Sequence, residues 1–433
     1  MKSHDKKPRQ FRPLLNAKIT INQAKTMSSN LSTTRKIVVG TQFLFVAFGA
    51  TVLMPLLVGL DPATALFSAG IGTIIFHLVT RGKVPIFLGS SFAFIAPILL
   101  ASKQWGLEGT LSGFAGVALV YFVASALIKW RGTDFLSRLF PPVVVGPVII
   151  LIGLSLSGTA VDMSKSNWTL AIISLLVSIG ILTYARGMFK LIPVVGGIAA
   201  GYVAAMVMGL VDFSGIASAP WVALPKNIAH PLLPTFDWQP FICLMPIALA
   251  TLIEHVGDVY VVSNVAGKDF ITDPGLHRTM LGDGLACLAA SFMGGPPVTT
   301  YSEVTGAMQI TKITSPAVIR ITALAAIVFS VFGKLNAFLQ SIPQAVLGGI
   351  MLMLFGTIAT VGIQSLVRNK VDFSKTRNII ITSIMLTTGV GGAELTAGTF
   401  SLSGIGLAAI VGIILNLLLP SKTKMDETEE IKQ

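Results

Sequence analysis

Long apolar stretches separated by short polar ones run from about residue 37 to residue 420. A membrane-spanning helix needs about 20 mostly apolar residues. By that ruler the pattern predicts fourteen segments, at 37–58, 63–80, 85–101, 109–129, 140–158, 168–185, 190–211, 239–263, 276–293, 300–313, 315–333, 342–366, 377–392 and 401–420. Polar tails flank them at 1–36 and 421–433, and the longest loop, 212–238, is too short for a soluble domain. The expected fold class is therefore an all-α polytopic membrane protein.

Composition agrees with the pattern. Of 433 residues, 53% are hydrophobic and 12% charged, against about 25% charged in a soluble chain; mean hydropathy is +0.79. Forty-two glycines and 22 prolines point to close helix packing and broken helices. Cys243 and Cys287 lie in apolar runs, which excludes a disulfide framework. The five histidines have no ligand spacing, so neither a zinc site nor another cofactor is expected.

The net charge of +12 changes meaning once it is mapped. Nine of the 31 Lys and Arg fall in the first 36 residues, beside a single aromatic, Phe11. With so little to stack a base, nucleic acid is not the expected partner; a positive-inside membrane anchor is. The tail is too long and polar before its first apolar run to be a signal peptide. With the N-terminus in the cytoplasm, 27 basic residues fall inside and only Lys103, Lys165, Lys226 and Lys334 outside. That asymmetry predicts both termini in the cytoplasm and, for a bacterial source, the cytoplasmic membrane.

The chain also repeats itself. Asp61-Pro62, Gly70 and Gly72 recur 212 residues later as Asp273-Pro274, Gly282 and Gly284, and the same offset carries Pro85 onto Pro297 and Ser90 onto Ser302. Pro141, Val144 and Gly146 recur as Pro343, Val346 and Gly348 at an offset of 202. Two seven-span halves, 37–212 and 239–420, would enter the membrane from opposite faces, the inverted topology of many secondary transporters. The third segment of each half, from Lys83 to Phe92 and from Gly294 to Glu303, begins extended and turns helical. Either these are turns at the membrane edge, or each is a short strand followed by a half-helix. In the second case the half-helix N-terminus faces a polar solute near the midplane, and the strands can pair to satisfy their backbone.

Four acids lie inside the apolar runs: Glu254, Asp258, Glu303 and, nearer the inner end, Asp283. Intramembrane charge is costly and so marks function by default, although such acids can also hydrogen-bond the backbone of broken helices. Glu254 and Asp258 share one face of a helix; the 212 offset puts Gln42 opposite Glu254 and Ser91 opposite Glu303. No Lys or Arg is placed to neutralise them. A carboxylate buried without a cation protonates readily, as proton coupling requires. Carboxylates accept from ring N–H groups and half-helix N-termini suit carbonyl oxygens, an inventory that fits a small planar base such as a uracil or a xanthine. His255 is either a proton relay or a packed structural residue, pointing about 100° from Glu254 around the helix.

At these residues the sequence resembles the nucleobase–ascorbate transporter (nucleobase:cation symporter-2) family, in its bacterial uracil permease branch. The likeness rests on Phe-Gly-Ala-Thr-Val-Leu-Met-Pro (48–55), Leu-Gly-Ser-Ser-Phe-Ala-Phe-Ile (88–95), Glu254-His-Val-Gly, Asp273-Pro-Gly-Leu-His-Arg and Thr299-Thr-Tyr-Ser-Glu303. It implies seven plus seven inverted spans, with short strands and half-helices in spans 3 and 10. It also implies a core domain (37–130 and 239–334), a gate domain (137–212 and 342–420) and a homodimer through the gate. Carried over by position, Glu254 and Glu303 grip the base, the backbone at Phe92 and Ser302 meets its carbonyls, and Phe92 and Tyr301 line the pocket beside Ser91. The proton-linked position, often His in uracil permeases, is Asp258 here.

The family's Tyr-Gly-Glu-Asn reads Tyr301-Ser302-Glu303-Val304, and a common His after Gln42 is Phe43. These departures bear on which base is carried, since one lost hydrogen bond can redirect specificity. The expected function is proton-coupled import of uracil, with a xanthine or urate permease as the alternative. An anion transporter on the same fold is disfavoured by the charge of Glu303. No Ser–His–Asp order, zinc motif or phosphate loop supports an enzyme.

Overall fold

A computed structural model describes residues 32–132, 139–229, 236–397 and 400–420. Nearly all of the basic tail, Arg138 and the acidic run Asp426–Glu430 lie outside the described residues. The fold is mostly helical and of membrane type, and among the described residues six helical stretches are long and apolar enough to cross a bilayer.

Helix α1 (Thr33–Val58) starts where the Ser32 side chain accepts from the Arg35 amide and stops at Gly59, which takes a left-handed φ of 75°. Helix α2 (Pro62–Val79) starts under Asp61, whose carboxylate accepts from the Thr64 amide, with Pro62 in the first turn. Such caps serve the amides a helix leaves unpaired at its start. Strand β1 (Leu88–Ser90) and a 3-10 turn (Phe92–Phe94) lead into α3 (Ile95–Arg131). The segment expected at 85–101 comprises β1, the 3-10 turn and the first turns of α3, and that expected at 109–129 lies beyond a break inside α3 at Gly106, where φ is 67° and ψ −179°. Only a residue without Cβ takes that backbone without strain.

Helices α4 (Pro142–Ser155), α5 (Ser157–Lys165), α6 (Trp168–Tyr184) and α7 (Pro193–Val207) follow. After a loop carrying two short helical turns come α8 (Trp238–Leu244) and α9 (Ala248–Ala266), separated by a 3-10 turn that contains Pro246. The chain continues as α10 (Leu276–Phe292), β2 (Val298–Thr300), α11 (Ser302–Thr311), α12 (Pro316–Ser330), α13 (Gly333–Gln340), α14 (Gln344–Arg368) and α15 (Thr376–Val390). A hairpin of β3 (Glu394–Ala397) and β4 (Phe400–Ser403), which the apolar pattern does not announce, precedes α16 (Gly404–Leu418).

Packing sorts the helices into two groups. In one, α2 lies on α10 and α12, α3 on α8 and α10, and α1 on α12. In the other, α14 lies on α4, α5 and α6, while α15 and α16 pack on each other and on α4. The groups meet mainly through α1 with α7 and α9 with α16 and α4. Approach within the first group is close: a Cβ on Gly70 of α2 would stand 2.7 Å from the Ala323 carbonyl oxygen of α12.

Strands β1 and β2 run antiparallel through the middle of the first group, pairing Leu88 with Thr300, Gly89 with Thr299 and Ser90 with Val298. The Tyr301 amide extends the ladder by donating to the Phe87 carbonyl at 3.1 Å. All six strand residues are buried, so each strand supplies the partners that an apolar surround would deny the other.

Candidate functional site

Each strand delivers its chain to the start of a helix, and the two starts face α9. On the first side Ser91 accepts from the Ala93 amide at 3.3 Å and so caps the turn at Phe92–Phe94. On the second side Tyr301 precedes α11, whose first residues are Ser302 and Glu303. The opening amides of a helix have no partner within it, and its dipole presents positive charge there.

Glu254 of α9 sits between the two starts. Ser91 Oγ donates to Glu254 Oε2 at 3.3 Å, and Ser302 Oγ lies 3.3 Å from Glu254 Oε1. Ser302 Oγ is also 2.9 and 3.0 Å from the two oxygens of Asp258, one helical turn along. One serine hydroxyl thus touches both carboxylates. Asp258 is 6% exposed, whereas Ser302 counts as exposed and Glu254 and Glu303 as half-buried. The protein therefore has an opening at Ser302 with acids around it. Glu303, on the first turn of α11, is near enough to Glu254 for their charges to interact.

Phe92 is 4% exposed, and its ring meets that of Phe355 on α14 edge-to-face at 5.5 Å. That contact joins the two helix groups directly beside the helix start. Tyr301 is placed differently: its hydroxyl accepts from the Ala50 amide at 2.5 Å, and its ring packs edge-to-face on Phe87 at 6.4 Å. A Cβ on Gly89 would come within 2.7 Å of the Tyr301 ring, so β1 passes the ring only as glycine. Ser90 Oγ donates to the Ala50 carbonyl at 2.9 Å. Tyr301 and Ser90 together bind α1 to the strands behind the opening.

A neighbouring face of α9, about 100° around the helix, carries a second, sealed polar cluster. His255 and Asp283 are both fully buried, with His255 Nδ1 2.8 Å from Asp283 Oδ2. Thr299 of β2 donates to the same Asp283 oxygen at 3.0 Å, Tyr121 Oη lies 2.9 Å from Thr299 Oγ1, and His255 Nε2 lies 2.8 Å from Thr279 Oγ1. The cluster ties α9, α10, β2 and α3 together.

The geometry thus brings Glu254, Asp258, Ser91 and Ser302 into one hydrogen-bonded set with Glu303 and Phe92 alongside, while Tyr301 and His255 stand behind it. Sequence reasoning missed Phe355, Thr279 and Tyr121, and quoted Thr299 in a motif without giving it a role. Of the three missed residues Thr279 carried a signal, lying one turn before Asp283 on the same helical face. Among the described residues no three His, Cys, Asp or Glu side chains are grouped to hold a metal ion.

Comparison with known proteins places the chain. The profile of a permease family, that of the xanthine and uracil permeases, matches residues 34–398. A probable uracil permease of Haemophilus influenzae is 48% identical over 404 residues, which cover 91% of this chain and 97% of that protein. The uracil permease of Bacillus subtilis is 44% identical over 411 residues, covering 90% and 94%. Among solved structures, the transmembrane domain of the cyanobacterial bicarbonate transporter BicA superposes with a TM-score of 0.62 over 88% of this chain and 96% of that one. At 14% identity that is a likeness of fold.

Proposed function

The chain belongs to the nucleobase:cation symporter-2 permease family and is a multi-pass membrane transporter, not an enzyme; from that premise we propose that it imports a nucleobase, uracil, by proton symport. The observation that carries this reading is the carboxylate of Glu254 held between two helix starts, 3.3 Å from Ser91 on one side and 3.3 Å from Ser302 on the other. Uracil alternates ring N–H donors with carbonyl acceptors. Glu254 and Glu303 take the N–H groups, the unpaired amides at Phe92 and Ser302 take the carbonyls, and Phe92 covers the ring face. Tyr301 shapes the wall from behind. Asp258, Glu254 and Glu303 handle the proton, with His255 behind them on the neighbouring face of α9.

Transport follows from the two helix groups. The first, a core, carries the site and moves against the second, a gate, opening the site to either side in turn. The Phe92–Phe355 contact lies on that moving boundary. Fourteen spans in two inverted halves, both termini in the cytoplasm and a dimer through the gate complete the reading. The strand register supports the inverted halves, since Leu88 pairs with Thr300, its own mate at the offset of 212. A xanthine or urate permease is the second reading, favoured by Ser302 and Val304 where uracil permeases commonly carry Gly and Asn.

The test is uptake of radiolabelled uracil into proteoliposomes with and without an inward proton gradient, beside Glu303→Gln. Gradient-dependent uptake that the substitution removes is the expected result. Uptake indifferent to the gradient would remove proton coupling and leave the site standing. No uptake of uracil, with uptake of xanthine, would move the substrate to the second reading.

A further inference from the structure

Ser302 has one proton to donate and touches two carboxylates. Its oxygen is nearly equidistant from both oxygens of Asp258, at 2.9 and 3.0 Å, and lies 3.3 Å from Glu254 Oε1. We propose that Ser302 is a positioning residue that makes nucleobase binding at Glu254 depend on a proton at Asp258, so that the proton binds first. The inference rests on the nucleobase reading above and assigns an order of events to it.

The argument follows the direction of each hydrogen bond. When Asp258 is ionised it can only accept, so the Ser302 proton turns to it and Glu254 loses that donor. When Asp258 is protonated, its own O–H donates to Ser302 Oγ, and the serine proton is released towards Glu254. A chain then runs from Asp258 through Ser302 to Glu254, holding the ionised Glu254 in the orientation that accepts a ring N–H. Ser91 fixes the other oxygen of Glu254 throughout, at 3.3 Å. No bond other than hydrogen bonds is made or broken. The other ionisable groups around the bridge are Glu303 of α11 and, behind β2, His255 of α9 paired with Asp283 of α10. The last two are engaged with each other, and Glu303 acts on Glu254 through space.

The experiment is equilibrium binding of labelled uracil to the purified full-length protein between pH 5.5 and 8.5, with Ser302→Ala, Ser302→Gly, Ser302→Thr and Asp258→Asn. A bridge to a charged group is worth on the order of a tenfold change in affinity. Wild-type affinity should therefore fall about tenfold as pH rises, and Ser302→Ala and Ser302→Gly should flatten that profile to within about twofold. Ser302→Thr, which keeps the hydroxyl, should restore the slope. Asp258→Asn, whose amide donates at every pH, should hold affinity near the wild-type acid value. A slope that survives both Ser302→Ala and Ser302→Gly overturns the inference while the nucleobase reading stands. Binding of neither uracil, xanthine nor urate by the wild type overturns that reading, and the inference with it.

Discussion

Helix α9 carries acids and a histidine on two faces only 100° apart, and the surroundings of the two faces differ completely. On the open face Glu254 and Asp258 share a single serine hydroxyl beside an exposed position. On the sealed face His255 and Asp283 are fully buried, and one oxygen of Asp283 accepts from Thr299 and lies 2.8 Å from His255 Nδ1. Exposure, rather than the number of partners, separates the two: the acids of the open face lie beside an exposed position, whereas the sealed pair has no exposed surface even though Asp283 Oδ1 is buried without a partner. A buried acid is a functional candidate by default, and this comparison shows what divides the default into two kinds.

The sharpest test of the joint is Asp283→Ala. Two buried groups lose their partner at once, and a small cavity opens, so about 3–5 kcal/mol of stability should go. Thermal unfolding in detergent should move down by many degrees, with uracil affinity of the surviving folded protein within about threefold of wild type. An unchanged melting curve with lost binding would place Asp283 on the working side and dissolve the comparison.

Glu254→Gln probes the other face. It replaces an acceptor of charge-assisted hydrogen bonds with a neutral group of the same shape, an expected loss of about 2–3 kcal/mol of binding, or roughly 100-fold in affinity. The melting temperature should stay near that of the wild type. A variant that unfolds early yet binds uracil normally would make Glu254 another joint.

How much of this the sequence could show depends on range. Glu254 and Asp258 are four residues apart, so helical geometry alone aligns them, and the apolar runs place them inside the bilayer. The strands at Leu88 and Val298 are legible because Pro85 and Pro297 stand just before them and the two halves match. The His255–Asp283 pair spans 28 residues, and only the packing of α9 beside α10 brings it about. Sequence reasoning therefore weighed Asp283 as an acid without a cationic partner and His255 as a relay or a packed residue, without seeing that each answers the other. Phe355 lies on another helix group altogether, and no local pattern points from it to Phe92. Tyr301, expected from the family resemblance to line the pocket, is 3% exposed. Its contact with Ala50 depends on how α1 crosses the strands, which no spacing encodes.

Gly89 lies where the two faces share a wall. A Cβ there would stand 2.7 Å from both Thr51 Oγ1 and the Tyr301 ring, and Tyr301 is held at its hydroxyl by Ala50. Gly89→Ala should cost about 1–3 kcal/mol by overpacking. It should also displace Ser91 two residues on, weakening uracil binding as well as lowering the melting temperature. A pure stability loss with wild-type affinity would separate the strand from the site.

The smallest effect is expected where an acid and a base meet in water. Lys83 Nζ reaches both oxygens of Asp273 at 2.5 and 2.7 Å, closer than His255 approaches Asp283, yet the Lys83 and Asp273 side chains are 41% and 70% exposed. Distance alone would rank this pair above the sealed one. Burial ranks it below, because water solvates both ions whether or not they meet, and salt screens what attraction remains. Lys83→Ala should therefore change stability by less than about 1 kcal/mol, and the difference should vanish by about 1 M salt. The same salt series should leave the deficit of Asp283→Ala untouched, since ions do not reach a site with no exposed surface. If salt instead erased both deficits, the two faces of α9 would differ in position only, and burial would no longer explain why one pair is a joint and the other a surface contact.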